Sequence, residues 1–430
     1  MKSKRLKTIA LAASALCFAS HVMAQDAPTE ANDSTSAKAI AKKAGDALGL
    51  EFEGYGRGGF YSASGNAPKG GYALGGDLQK YRLGNEGDNY VEFGIRKKFD
   101  LGEGLKWGVF YMPKIYNGDT GTAQIYSYMT GLAFAPEMSF WAGQRFHRIE
   151  DVHIVDNWVM EDGYNYGDVV DGILLGSAAK LNVGIYTDGN SDNKNNKISA
   201  TNPTNNNGKR ANFQIVDIPT NPGGKLNLTG GVIGGTYALG KKGAALGLLH
   251  NQKNFIAPGF NNSFFVQAST GHADIRGKFY NLDQAGVAQA GAKQLRVIEA
   301  ISWQSGKLGG QALMGYQTAT PDSGPLDGVK TTDLSLGGRM SYGIAKQVKL
   351  LGEVGLTSRK IEDQEKQRLY KATAAVAFSP NTDFWTRPEF RVYLTRANWN
   401  DAASAANATS FGANGRTKAT AFGVQMEVWW

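Results

Sequence analysis

Strict alternation of residue character narrows what this chain can fold into. In Glu51-Phe52-Glu53-Gly54-Tyr55-Gly56-Arg57-Gly58-Gly59-Phe60, odd positions 51 to 57 carry Glu51, Glu53, Tyr55 and Arg57, while the even ones carry only Phe and Gly. A β-strand sends successive side chains to opposite faces, so this segment presents one polar, ring-bearing face and one apolar or bare face. The pattern repeats with Tyr90, Glu92 and Arg96 against Val91, Phe93 and Ile95. It returns near the end, where Glu389, Arg391, Tyr393 and Thr395 oppose Phe390, Val392 and Leu394. There too, Gln425, Glu427 and Trp429 oppose Phe422, Val424, Met426, Val428 and Trp430.

Two architectures use such strands. A soluble sandwich buries the apolar face in a core, and a membrane barrel turns it to lipid. Charges mixed with rings along one face suit a water-filled lumen, and Phe or Trp at strand ends suits the aromatic girdles of a barrel. The chain stops on Met426-Glu427-Val428-Trp429-Trp430 with no polar tail; pairing that strand with the first would remove the open edges that a membrane forbids. With 56 Gly, 12 Pro and 11% aromatics, the composition favours many strands and tight turns over disorder. Mean hydropathy is −0.34, and no apolar run beyond the first residues could span as a helix, a test that barrel strands escape because alternation hides their hydrophobicity. The expectation is an all-β transmembrane antiparallel β-barrel over residues 50–430. About 10 residues per strand leave room for roughly 16 to 18 strands, and a barrel that wide encloses an aqueous channel unless loops fold inward. The polar stretches 187–212, 317–332 and 398–417 read as loops.

The first residues read as an export signal. Lys2, Lys4, Arg5 and Lys7 precede the apolar stretch from Ile9 to Phe18, and Val22-Met23-Ala24 is a small-residue cleavage pattern. The apolar stretch is too short for an uncleaved spanning anchor. A lipoprotein signal at Cys17 would need a small residue where Leu16 stands. Cys17 is the chain's only cysteine, so the exported part has none and no disulfide. Residues 25–49 form a periplasmic leader, flexible or a short helix at Ala39-Ile40-Ala41-Lys42-Lys43, too short for a coiled coil. The formal charge of +8 falls to about +4 once the four signal cations are removed, with no dense basic patch, so nucleic acid is not an expected partner.

Four blocks in order carry a family resemblance. Lys80-Tyr81-Arg82-Leu83-Gly84-Asn85-Glu86 is the first; Trp141-Ala142-Gly143-Gln144-Arg145-Phe146 with Asp151-Val152-His153-Ile154-Val155-Asp156 the second; Phe384-Trp385-Thr386-Arg387-Pro388 with Arg391-Val392 the third; and Phe422 to Trp430 the fourth. Together they resemble the maltoporin family of sugar-specific outer-membrane porins, sucrose-porin-like members included; residues 160–380 match poorly apart from Asn221-Pro222-Gly223-Gly224. The resemblance implies an 18-stranded barrel with an inward-folded constriction loop, a homotrimer in the outer-membrane lipid, and an oligosaccharide or disaccharide as substrate with no cofactor. It further implies passive diffusion of sugar along a slide of aromatic rings between polar tracks. Rings take the C–H faces of a pyranose and charged groups take its hydroxyls, each contact weak enough to let go.

Carried onto this sequence, the slide is Tyr55, Tyr90, Trp385 and Trp429, with Phe264 less securely aligned. The polar tracks are Arg57, Arg82 and Glu92 on the wall and Arg148, Asp151 and Asp156 on the loop. Trp158 and Glu161 stand where the family has a tyrosine and an aspartate at the constriction. Ile149 replaces a track arginine, leaving Arg148 one step earlier; another aligns near Thr122, and no tryptophan near Lys114 reaches into a neighbour's pore. These departures point away from maltodextrins to a different or broader sugar. Each residue has a plainer role as well: Trp385 and Trp429 in the girdle, Arg82 and Glu92 as a wall ion pair, Asp151 and Asp156 as loop pins, Phe264 as a lipid-facing ring. A general diffusion porin, with a charged constriction but no aromatic file, is the nearest alternative. An outer-membrane enzyme is remote, because His147, His153, His250 and His272 form no convincing hydrolytic pair. No ligand spacing for a metal is present.

Overall fold

The computed structural model describes residues 37–161, 166–187, 207–236, 242–277, 291–322, 326–412 and 415–430. Residues 1–36, which hold the expected export signal and the first part of the expected leader, lie outside this set. The chain opens with helix α1 (Ala37–Leu48) and continues as β1 (Glu51–Ala63), β2 (Tyr90–Asp100), β3 (Lys106–Tyr116), β4 (Asp119–Leu132) and β5 (Ala135–Gln144). A small hairpin follows, β6 (Arg148–Val152) and β7 (Asn157–Glu161), and then β8 (Tyr166–Leu175), β9 (Ala179–Thr187), β10 (Asn207–Pro219), β11 (Gly224–Thr236), β12 (Gly243–Gln252) and β13 (Phe260–Thr270). The wall is completed by β14 (Ala292–Ser305), β15 (Leu308–Pro321), β16 (Thr331–Ala345), β17 (Val348–Ile361), β18 (Gln367–Phe378), β19 (Glu389–Trp399) and β20 (Lys418–Trp429). Several strands outrun the polar stretches marked as loops: β10 begins at Asn207, β15 runs to Pro321, and the 398–417 segment holds helices α2 (Asp401–Ala406) and α3 (Ala408–Phe411). Polar composition identified the crossings, but it does not stop a strand whose backbone is paired.

Eighteen strands form one sheet in which each pairs antiparallel with its chain neighbour; β6 and β7 stand apart as a two-stranded sheet. Closure comes from β20 against β1, in register from Tyr55↔Trp429 to Ala63↔Ala421. The alternation fits this wall. Val91, Ile95, Phe390, Val392, Leu394 and Phe422 belong to the outward set, which is largely exposed, while Glu389, Arg391, Gln425 and Glu427 point in and are buried. Outer rings gather at the end with short turns, where Phe99 stacks on Trp107 and Phe260 on Trp303, as an interfacial girdle requires. At the same end Ala37 and Ala41 of α1 pack on Trp430, beside Phe52 and Phe93.

The lumen is not simply water. The long segment between β1 and β2 folds inside and lies on β16 to β20. Gly337 and Gly355, cross-strand partners on β16 and β17, face inward under the Tyr81 ring, where any Cβ would collide with it. The Tyr81 hydroxyl meets Ser335 Oγ at 3.0 Å; Leu83 N–H donates to Glu353 at 2.9 Å, and Lys371 Nζ donates to the Leu83 carbonyl at 2.7 Å. The hairpin brings Ile149, Val152 and Ile154 against Leu78, Tyr81 and inward-facing Phe265, Ile298 and Leu313. Each such buried side chain stabilises the docked loops by about 1.5–3 kcal/mol. On β12 to β15 the inward face is therefore partly apolar, because it covers loop side chains rather than water.

Gly84 takes φ +61°, and a methyl there would overlap the Thr395 hydroxyl and the Tyr393 ring. Gly84→Ala adds this overlap to a left-handed penalty of about 1–2 kcal/mol. The expected outcome is a folded barrel with a loosened first loop, seen as higher single-channel conductance and a lower heat-denaturation temperature in detergent.

Candidate functional site

With the first loop filling the side of β16 to β20, the open lumen is a cavity of about 520 Å³ against β1 to β4 and the hairpin. Tyr55, Arg57, Arg82, Tyr90, Glu92, Arg148, Asp151, Asp156 and Trp158 all line it, so most of the site residues named from sequence converge. Tyr55 and Tyr90 have ring centres 6.1 Å apart, and Tyr116 continues the file 6.2 Å from Tyr90. The Arg57 guanidinium lies 5.7 Å from the Tyr55 ring and 5.3 Å from that of Tyr90, anchored by Asp88 at 2.7 Å. The Tyr90 hydroxyl donates to Glu92 at 2.8 Å. Arg148 stacks on Phe146 at 3.8 Å and on Trp158 at 4.9 Å. Ile149, at the position of the missing track arginine, is buried in the apolar loop core.

Three positions differ from expectation. Arg82 is not on the wall but on the first loop, carried to β20 by the chain's inward fold. Its Nε donates to Glu86 at 2.9 Å and one terminal nitrogen to His153 Nδ1 at 3.1 Å; the other binds both Tyr55 and Glu427. Phe264 faces outward, 37% exposed, and its neighbour Phe265 is the inward ring, wholly buried; one residue of register exchanges the faces. Trp385 lies in the turn before β19, not on a strand, yet its ring is 5.4 Å from His153, which stands 5.5 Å from Trp429. His153, which also lines the cavity, thus stands between the two tryptophans. The side chain of Glu161 lies outside the described residues.

Charge pairing sets the electrostatics. Glu427, 1% exposed, accepts from Tyr55, Arg82, Arg387 and Arg391. In the first loop, burial would raise the Glu86 carboxyl, but Arg82, Arg57 and Lys80 outweigh burial and hold it well below the ordinary range. Burial, then Arg82, depress His153, against the Asp151 carboxylate 3.6 Å from its Nδ1. Glu150 of the hairpin is the reverse case. Burial lifts its carboxyl to about 7, against the hydrogen bonds from Asn251 and Ser263 on the wall, with Asp151 adding to the rise. Glu427, Arg96, Arg145, Phe146, Tyr116 and Tyr126 were not assigned roles from sequence. Parity offered a signal for Glu427 and Arg96, which share faces with Trp429 and Glu92; Arg145 and Phe146 lay in the second block without a role, and nothing local marked Tyr116 or Tyr126.

Two outcomes follow. Glu427→Gln leaves Arg82, Arg387 and Arg391 facing a neutral amide, a loss of about 3–5 kcal/mol for a broken buried pair, to be read as a lower thermal midpoint in detergent. For Glu150, a folded-state value above the ordinary 4.5 means that its docking contribution is complete below pH 4.5 and is lost as pH rises through about 7. Hairpin amides should exchange with deuterium faster at pH 8 than at pH 5 after correction for intrinsic rates, and Glu150→Gln should remove that difference.

The LamB porin family model matches residues 50–430. Two maltoporins of Vibrio cholerae serotype O1 are each 27% identical over 443 residues, covering 92% of this chain and 98% and 97% of the relatives. Among solved structures, OccK10 (OpdN) of Pseudomonas aeruginosa has a TM-score of 0.49 at 10% identity, covering 88% of this chain and 98% of its own. The DcaP channel of Acinetobacter baumannii has 0.48 at 11%, covering 88% and 96%. The family match over the whole barrel and the closed 18-stranded wall agree: this chain belongs to the LamB porin family and is a β-barrel porin of the bacterial outer membrane.

Proposed function

We propose that this porin passes small sugars by facilitated diffusion, without chemical conversion, along an aromatic slide flanked by polar tracks. The observation that carries the reading is the file Tyr116, Tyr90 and Tyr55 at spacings near 6 Å in one cavity with Arg57, Glu92 and Asp151. Rings at that spacing offer a pyranose successive faces, and the flanking charges offer partners for its hydroxyls. Trp429 and Trp385 continue the path below. The Phe146, Arg148 and Trp158 stack narrows the lumen beside Glu92, which favours short sugars such as disaccharides over long maltodextrins. Trimeric assembly is proposed from the family resemblance, as are cleavage after residue 24 and a periplasmic location for residues 25–49.

In planar bilayers Trp429→Ala should weaken sugar block of the ion current about tenfold, a loss of about 1.4 kcal/mol, with ion conductance unchanged; unchanged block would remove Trp429 from the path. Liposome swelling with disaccharides of equal size and different stereochemistry separates a slide from simple diffusion. Rates set by size alone favour the general porin.

A further inference from the structure

The outer wall carries a feature that sugar passage does not use. Between β14 and β19 an apolar trough of about 720 Å³ crosses the lipid-facing surface. Two neighbouring cross-strand rows form it. One runs Gly310, Met340, Gly352, Ala374 and Leu394; the other runs Ala312, Gly338, Val354, Ala372 and Arg396. A Cβ placed on Gly352 would touch nothing within 4 Å, so the floor there is open. Trp303 and Tyr342 flank it toward the short-turn end.

At its other end stands a cation, on a face where cations are expensive. Arg396 is exposed, and it donates to the neutral Thr420 hydroxyl at 2.7 Å. Lys418, also exposed, sits diagonally across on β20, opposite Asn398, within reach of the same group. Neither makes an ion pair among the described residues. Tyr370, exposed at the level of Asn398, marks the interfacial height. A chain-shaped apolar trough ending in two uncompensated cations at that height is complementary to one kind of molecule, a lipid with its tail in the trough and an anionic phosphate at the cations.

We propose that the β14 to β19 face is a binding site for a phosphate-bearing lipid of the outer leaflet, with an acyl chain over Gly352 and the phosphate held by Arg396 and Lys418. The test uses the purified full barrel, reloaded in detergent with phosphatidylglycerol or with diacylglycerol of the same chains and examined by native mass spectrometry. The wild type should retain the phospholipid in preference to diacylglycerol. Arg396→Gln should lower phospholipid retention about fivefold and the double variant with Lys418→Gln more than twentyfold, from about 1 kcal/mol per interfacial cation. Diacylglycerol retention should stay the same in both variants. Gly352→Leu, which fills open space, should displace both lipids with the barrel still heat-resistant on gels. Equal retention by wild type and double variant overturns the proposal. So does a Gly352→Leu variant that keeps its lipid but changes oligomeric mass, since that outcome assigns the trough to a second copy of the chain.

Discussion

Everything in this molecule rests on the pairing of its last strand with its first. In hydrocarbon no water is present to satisfy a free N–H or carbonyl, so a sheet survives only if it has no edge. The register from Tyr55↔Trp429 to Ala63↔Ala421 removes that edge. It also places the Tyr55 hydroxyl beside Glu427, so the bond that closes the wall builds the floor of the cavity.

Closure creates a second problem, because eighteen strands enclose more space than wall side chains can fill. The chain solves it asymmetrically. The first loop occupies one side, held by Ser335, Glu353 and Lys371, and the hairpin divides what is left. The two inserts are joined to each other, since Arg82 N–H donates to the Ile154 carbonyl at 2.9 Å. The pore is thus what remains between a plugged side and a bare wall, and its width depends on loops docked by both apolar contact and ion pairs.

Those ion pairs are close to the limit of what burial allows. Glu427 among three arginines and Glu353 between Arg339 and Lys371 are nearly inaccessible. Desolvating such groups is costly unless every charge finds partners. The arrangement therefore serves position more than stability: it fixes Arg82 and Tyr55 at the cavity floor, where a loosely held arginine would vary the bore.

The amino-acid sequence by itself determined the wall. Period-two segregation depends only on a strand's two faces, so Tyr90 and Glu92 could be turned inward and Val91 outward without knowing any neighbour. The cavity lining was legible where a residue sat on such a strand, as with Tyr55, Arg57 and Tyr90, or in a block whose resemblance was strong, as with Asp151 and Asp156. Tertiary structure decided the rest. Arg82 and Trp385 lie on segments with no repeating geometry, so their positions follow from what the loop or turn packs against. Phe264 and Phe265 are a different case. Ser263, Gln267 and Ser269 share the inward face of β13 with Phe265, so alternation itself turns Phe264 outward. What the tertiary structure decides is why that polar face carries a ring at all, packed under Leu78 and Tyr81.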